Sequence, residues 1–126
     1  MGEIPGCRAC NIAAKRAAIG TAVGHAGNFT PDGLTYYGTP AGSPIRAIDI
    51  ADPVHPKLLT DKFPVGAHDL SLSDDGNRLY VAVVGLDPSL ADNGLAIMDV
   101  SEIQARKADP QVKLISEFYW LDGAAA

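Results

Sequence analysis

Two histidines occupy matching places in an internal repeat, and their spacing makes them candidates for metal chemistry. His25 opens the stretch His-Ala-Gly-Asn-Phe-Thr-Pro-Asp-Gly, and His68 opens His-Asp-Leu-Ser-Leu-Ser-Asp-Asp-Gly 43 residues further on. Neutral imidazole is the commonest protein ligand for metals such as copper, zinc and iron. Because repeated segments stack in equivalent positions, we expect the two imidazoles to converge. The pair therefore predicts a transition-metal or small-ligand site.

Three carboxylates are expected beside this pair. Asp69 follows His68 directly, and Asp87 and Asp92 lie in a polar loop that the second repeat inserts after its second strand. Together these groups would form a concave polar site of the kind that binds small molecules or metals. The sequence leaves a structural alternative open, in which each imidazole hydrogen-bonds the backbone of the neighbouring repeat. Two histidines do not complete a metal site, so further ligands would have to come from elsewhere.

The other end of each repeat is explained by turn chemistry. Asp32-Gly33 and Asp75-Gly76 close the two copies. An Asp side chain accepts hydrogen bonds from the backbone of its own turn, and Gly adopts the positive φ that tight turns require. We therefore interpret Asp32, Gly33, Asp75 and Gly76 as structural turn residues with no part in catalysis.

A second pair of repeated carboxylates, Asp49 and Asp99, lies within apolar strands. Carboxylates in such places usually accept backbone hydrogen bonds or pair with a cation, and Arg46 and Arg78 are the candidates for that cation. The sequence contains no nucleophile elbow, phosphate-binding loop or dinucleotide fingerprint. It therefore points to no catalytic residue.

The elements that must position these residues are short strands separated by turns. Alternating apolar residues, β-branched residues and turn signals predict them, and a single helical turn is expected at 101–107 with Ser101 as its cap. The eight predicted strands are 25–29, 34–39, 45–50, 57–63, 67–72, 78–84, 94–100 and 112–118.

Each repeat thus contains four antiparallel strands in sequential order, which is typical of a β-propeller blade. The chain is predicted to be all-β, with 1–14 unassigned, 15–23 an outer strand of a preceding blade, 24–65 the first blade, 66–118 the second, and 119–126 the start of a next blade or a tail. Two blades cannot close a ring and leave apolar faces uncovered. We therefore expect a piece of a larger propeller, or several copies that complete one.

Composition excludes some classes of partner. The formal net charge of -5 argues against nucleic acid, whose binding needs a basic surface. No apolar run is long enough for a membrane span. Cys7 and Cys10 form a CxxC without the second half that a zinc site needs, so we interpret it as incidental.

Several motifs resemble a known family. The stretch Ser-Asp-Asp-Gly-Asn-Arg-Leu-Tyr-Val-Ala (73–82) is similar to the SPDG-type, YVTN-like hairpins of bacterial propellers. Ala-Ile-Asp-Ile (47–50) and Ile-Met-Asp-Val (97–100) resemble the strands after which the LVIVD-repeat propellers are named. The resemblance covers about residues 15–126. It implies a bacterial, soluble protein whose biochemical role is uncharacterised, with export of the full-length protein left open.

Two functions of different classes follow as expectations. The favoured one is a non-catalytic propeller scaffold or binding surface, whose partners are other blades of the same protein or of further copies. The alternative is part of a copper, zinc or iron enzyme with His25 and His68 as ligands. Its histidines look similar to those of methanethiol oxidase, the selenium-binding protein, a likeness at the level of the fold alone.

Overall fold

The computed structural model describes residues 25–40, 44–84 and 93–120, and these residues form two antiparallel sheets of four strands. The all-β prediction is confirmed, and each of the eight strands predicted within 25–118 is present with ends shifted by at most three residues. Neither sheet is closed on itself, and within each the strands are neighbours in chain order. The first sheet contains β1 (Ala26–Phe29), β2 (Thr35–Thr39), β3 (Arg46–Asp49) and β4 (Lys57–Thr60); the second contains β5 (Asp69–Leu72), β6 (Arg78–Val83), β7 (Asn93–Asp99) and β8 (Lys113–Trp120).

The first hairpin of each sheet is built in the same way. Gly33 and Gly76 both have φ of 72°, a left-handed conformation that an L side chain adopts only at a cost. In the second hairpin, the Ser73 hydroxyl donates to the Asp75 carboxylate over 2.6 Å and accepts the backbone N–H of Arg78 over 3.0 Å. The same hydrogen bonds recur around Thr30 in the first hairpin. The repeat in the sequence is therefore a repeat in structure.

One hydrophobic core joins the two sheets. Strand pairing puts Tyr37 of β2 and Ala47 of β3 on the same face of the first sheet, and that face packs against the second sheet. The facing side of the second sheet contributes Leu79 of β6 and Met98 of β7, which are paired across the strands. The buried core consists of Tyr37, Ile45, Ala47, Leu70, Leu79, Val81, Ala96, Met98, Val100 and Ile103.

A four-residue helix, α1 (Ser101–Gln104), lies between β7 and β8 and buries Ile103. The prediction that Ser101 caps this helix is wrong. Val100 occupies the N-cap position and makes no side-chain cap hydrogen bond. The backbone N–H of Ser101 is instead accepted by the Asp99 carboxylate over 2.8 Å. The carboxylate of Asp99, the last residue of β7, thus caps the start of α1, as Asp side chains often do.

The end of α1 has an unusual residue in a common motif. The N–H of Lys107 donates to the carbonyl of Glu102, and the N–H of Arg106 donates to that of Ile103. This is the Schellman pattern, whose left-handed position is usually Gly. Here that position is Arg106, with φ of 57°. The left-handed conformation is sterically unfavourable for a residue with a side chain, so contacts made by the Arg106 side chain are expected to offset that cost.

The last strand differs from the prediction in one respect that matters for function. β8 continues through Trp120, two residues beyond its predicted end, and Phe118 is 56% exposed. Residues 1–24, 41–43, 85–92 and 121–126 lie outside the described part of the chain. The predicted outer strand at 15–23 and most of the inserted loop fall among them.

Candidate functional site

The two repeated histidines are in contact. His25 directly precedes β1 and His68 directly precedes β5, the first strands of the two sheets. Their ring centroids are 4.5 Å apart, and the ring planes are inclined at 55°. His25 is exposed and His68 is half-buried. The packing of the sheets therefore brings together two imidazoles that remain accessible to a ligand.

Backbone hydrogen bonds fix the two histidines in equivalent ways. The N–H of His25 donates to the carbonyl of Thr39 over 3.1 Å, and that of His68 donates to the carbonyl of Ala82 over 2.8 Å. The imidazoles themselves form no hydrogen bond with any residue that the structure describes. The structural alternative, an imidazole that hydrogen-bonds the neighbouring sheet's backbone, is thus not observed among the described residues. The main-chain N–H groups of both histidines bond carbonyls within their own sheets.

The carboxylates that were expected beside the histidines add no metal ligand in the described part of the chain. Asp69 pairs with Ala82 in the sheet, so its side chain is on the opposite face from the neighbouring Leu70. Its carboxylate accepts the N–H of Leu70 over 2.7 Å. Asp87 and Asp92 lie outside the described residues. Among 25–40, 44–84 and 93–120, no group of three or more His, Cys, Asp or Glu side chains could hold a metal ion.

The turn carboxylates are acidic for local reasons. The pKa of Asp75 is lowered first by the hydrogen bond from the Ser73 hydroxyl and next by the backbone N–H of Asn77. The pKa of Asp32 is lowered in the same way by Thr30 and by the backbone of Leu34. Hydrogen bonds to a carboxylate favour its ionised form. The largest causes lie within the turns themselves, and the Asp32 carboxylate also accepts a hydrogen bond from the Gln104 side chain.

Sequence reasoning missed Arg106, one of the residues whose side chains join the second sheet's connection to the first sheet. Its guanidinium donates to the carbonyl of Leu34 and to the hydroxyl of Thr35, over 2.8 Å in each case. It also approaches the Asp49 carboxylate at 3.4 Å. Asp49 was expected to accept backbone hydrogen bonds or to pair with Arg46 or Arg78. It accepts the backbone N–H of Ala51 over 2.9 Å, and its ion-pair partner in the described part of the chain is Arg106. No local signal identifies this pairing, because the partners are 57 residues apart in the chain.

The outer face of the second sheet carries a partly exposed group of apolar side chains. Tyr80 pairs with Ile97, and Leu95 pairs with Phe118, so these four side chains lie on the face turned away from the first sheet. Tyr80, Leu95 and Ile97 are half-buried, whereas Phe118 is exposed. Trp120, two residues beyond Phe118 on the same strand, is 45% exposed. We call this set, Tyr80, Leu95, Ile97, Phe118 and Trp120, the outer patch.

Comparison with known proteins gives no identity. No family model matches the chain, and no curated protein matches it at a significant level. None of the helices in the described ranges has the length and apolar character needed to cross a bilayer. The function must therefore be argued from the two features above, the histidine pair and the outer patch.

Proposed function

We propose that this chain is a two-blade segment of a β-propeller and that it functions as a scaffold whose outer patch packs against a further four-stranded blade. The proposal is supported by two stacked, antiparallel four-stranded sheets with sequential strand order, the arrangement typical of propeller blades. The LVIVD-like strands of the sequence point in the same direction. No catalytic residue enters the proposal.

The single observation that carries this proposal is the equivalence of two faces. In the repeat, Tyr37 corresponds to Tyr80 and Ala47 corresponds to Ile97. Tyr37 and Ala47 have no exposed surface, because the second sheet covers them. Tyr80 and Ile97 occupy the same positions in the second sheet but are only half-buried. The second sheet thus carries, on its outer side, a copy of the surface that the first sheet buries.

The occupant that fits this face is another blade with the same inner surface as the second sheet. That inner surface is apolar and consists of residues such as Leu79, Val81 and Met98, all fully buried against the first sheet. Sheets that pack face to face interdigitate such side chains at about 10 Å separation. In a second copy of this chain that inner surface is itself covered, but the face of the first sheet turned away from the second sheet carries Phe29, which pairs with Tyr36 and is 45% exposed. A second copy can therefore supply an apolar sheet face in solution.

Burial of the exposed aromatic side chains of the outer patch would contribute several kcal/mol to association. Phe118 and Trp120 are 56% and 45% exposed. An aromatic side chain offers roughly 200 Å², so covering these two would bury about 200 Å² of apolar surface. At about 25 cal/mol per Å², this is worth about 5 kcal/mol before the cost of association is subtracted. Exposed apolar surface of this kind marks an interaction site.

The experiment measures self-association of the whole chain by sedimentation velocity from micromolar to millimolar concentration. We expect the wild-type chain to associate and Phe118→Glu to reduce that association at least tenfold. Val54→Glu is the matched control, since Val54 is also an exposed apolar residue (45%, against 56% for Phe118) and lies in the connection between β3 and β4, away from the outer patch. A wild-type chain that stays monomeric over the whole range, or equal effects of both variants, would overturn the proposal.

A further inference from the structure

We propose that His25 and His68 form a two-histidine binding site for a divalent late transition metal, with Cu²⁺ bound most tightly. This site is separate from the outer patch and does not depend on the scaffold proposal. No catalytic step is assigned to it. The remaining coordination positions are open to water or to a further donor.

The distance between the rings fits one metal ion. Metal–nitrogen distances for imidazole are about 2.0–2.1 Å, so two imidazoles bound side by side to one ion have centroids roughly 4.5–5 Å apart. The observed centroid separation of 4.5 Å lies in this range. The rings are inclined at 55°, so they do not form a parallel stack that would turn both nitrogens away from a shared point. Rotation about the side-chain torsions of the two histidines would direct one nitrogen of each ring at a common ion.

The side chains are free to make that movement, while their backbones are not. The main chain of each histidine is held by a hydrogen bond to the neighbouring strand. No described residue hydrogen-bonds either imidazole, so rotation about χ2 breaks no such contact. Pre-positioned ligands reduce the entropy lost on binding. A fixed backbone with adjustable rings therefore favours chelation over binding to one histidine alone.

The charge and chemistry of the chain select the type of ion. A formal net charge of -5 attracts cations. Imidazole suits copper, zinc and nickel better than the hard ions Mg²⁺ and Ca²⁺, which prefer oxygen ligands. At a site with few protein ligands, Cu²⁺ is bound most tightly among the divalent first-row metals. The described residues offer no third ligand, so selection rests on the two nitrogens.

The test is a titration of the whole chain with Cu²⁺, followed by calorimetry and electron paramagnetic resonance. It is done in a Cys7→Ser, Cys10→Ser background, because thiols reduce Cu²⁺ and bind it independently. We expect one ion per chain, with a spectrum that shows two coordinated nitrogens. Binding should weaken as the pH falls, since protons and metal compete for the same nitrogen lone pairs.

Three single variants separate this site from other histidine binding. His25→Ala and His68→Ala should each weaken Cu²⁺ binding at least tenfold. His55→Ala is the matched control, because His55 is the only other histidine and is an exposed residue paired with Asp52. His25 is exposed, so its variant is expected to fold, which circular dichroism checks. Binding that is unchanged in both His25→Ala and His68→Ala, or lost equally in His55→Ala, would overturn the proposal. These outcomes leave the self-association experiment unaffected.

Discussion

Removal of the Arg106 side chain should loosen the contact between the two sheets. Arg106 lies in the connection between β7 and β8, just after α1. Its guanidinium donates two hydrogen bonds of 2.8 Å to Leu34 and Thr35, at the start of β2 in the first sheet. A third contact, to Asp49, is longer at 3.4 Å. The side chain is 29% exposed, so these interactions are partly screened by water. Arg106→Ala tests how much this clamp contributes to the free energy of unfolding.

The expected loss in the free energy of unfolding follows from the two hydrogen bonds of 2.8 Å. Hydrogen bonds from a charged donor contribute about 1.5–3 kcal/mol each. Partial exposure places these near the lower limit, and ordering a long side chain costs about 1.5–2 kcal/mol. The net loss in the free energy of unfolding for Arg106→Ala is therefore about 1–1.5 kcal/mol. The Asp49 contact is treated as a weak surface pair that contributes well under about 1 kcal/mol.

The backbone at this position allows a second, independent comparison. Arg106 has φ of 57°, and Ala keeps the same steric cost there while Gly removes it. Arg106→Gly should therefore be about 0.5–1 kcal/mol more stable than Arg106→Ala. Arg106→Lys keeps the charge but loses the planar fork that reaches two acceptors at once, so it should recover only part of the loss.

The assay is urea unfolding of the whole chain followed by Trp120 fluorescence, at a concentration below self-association. Lys107→Ala is the matched control, because among the described residues the Lys107 side chain pairs with Glu102 of the same connection and not with the first sheet. It should lower the free energy of unfolding by less than about 1 kcal/mol. The reasoning fails if Arg106→Ala is no more damaging than Lys107→Ala, or if Arg106→Gly is less stable than Arg106→Ala.

Three further predictions concern packing and pH. Tyr37 is fully buried and its hydroxyl has no hydrogen-bond partner in the described structure, so Tyr37→Phe should leave stability unchanged or raise it by about 1 kcal/mol in the same unfolding assay. A Cβ at Gly94 would overlap the Phe118 carbonyl, so Gly94→Ala should lower stability by about 1–3 kcal/mol, whereas Gly66→Ala, which meets nothing within 4 Å, should have little effect. The Ser73 hydroxyl lowers the pKa of Asp75, so the stability that the Asp75 carboxylate contributes is present above its unfolded pKa and is lost as the pH falls through its folded pKa. Between pH 5 and 2, the urea midpoint of Asp75→Asn should therefore fall less than that of the wild type. An equal fall in the two proteins would contradict this.

Much of the fold could be predicted because its signals are local. The turn at Asp75-Gly76 needs only a short polar side chain and a residue that tolerates positive φ, and both are visible in the sequence. The strands follow from β-branched and aromatic residues that alternate between turns, as in 78–83. The strand ends were less predictable, since the continuation of β8 through Trp120 depends on the length of its partner β7.

The candidate site was only partly predictable. The repeat identified His25 and His68 as equivalent, and equivalent positions in stacked units lie near one another. That argument could not give the distance or angle between the rings, which depends on how the two sheets are packed. Nor could it identify Arg106, whose acceptor in the first sheet is 72 residues away in the chain.

The sequence by itself determined the repeat, the turns and the order of the strands, because each depends on residues within one hairpin. Only the tertiary structure decided which apolar face is covered. Tyr37 and Tyr80 belong to the same pattern, yet Tyr37 is fully buried and Tyr80 is not. An apolar strand face has the same sequence whether or not a neighbour covers it. Burial, the Arg106 clamp and the contact between His25 and His68 all arise from the packing of one sheet on the other.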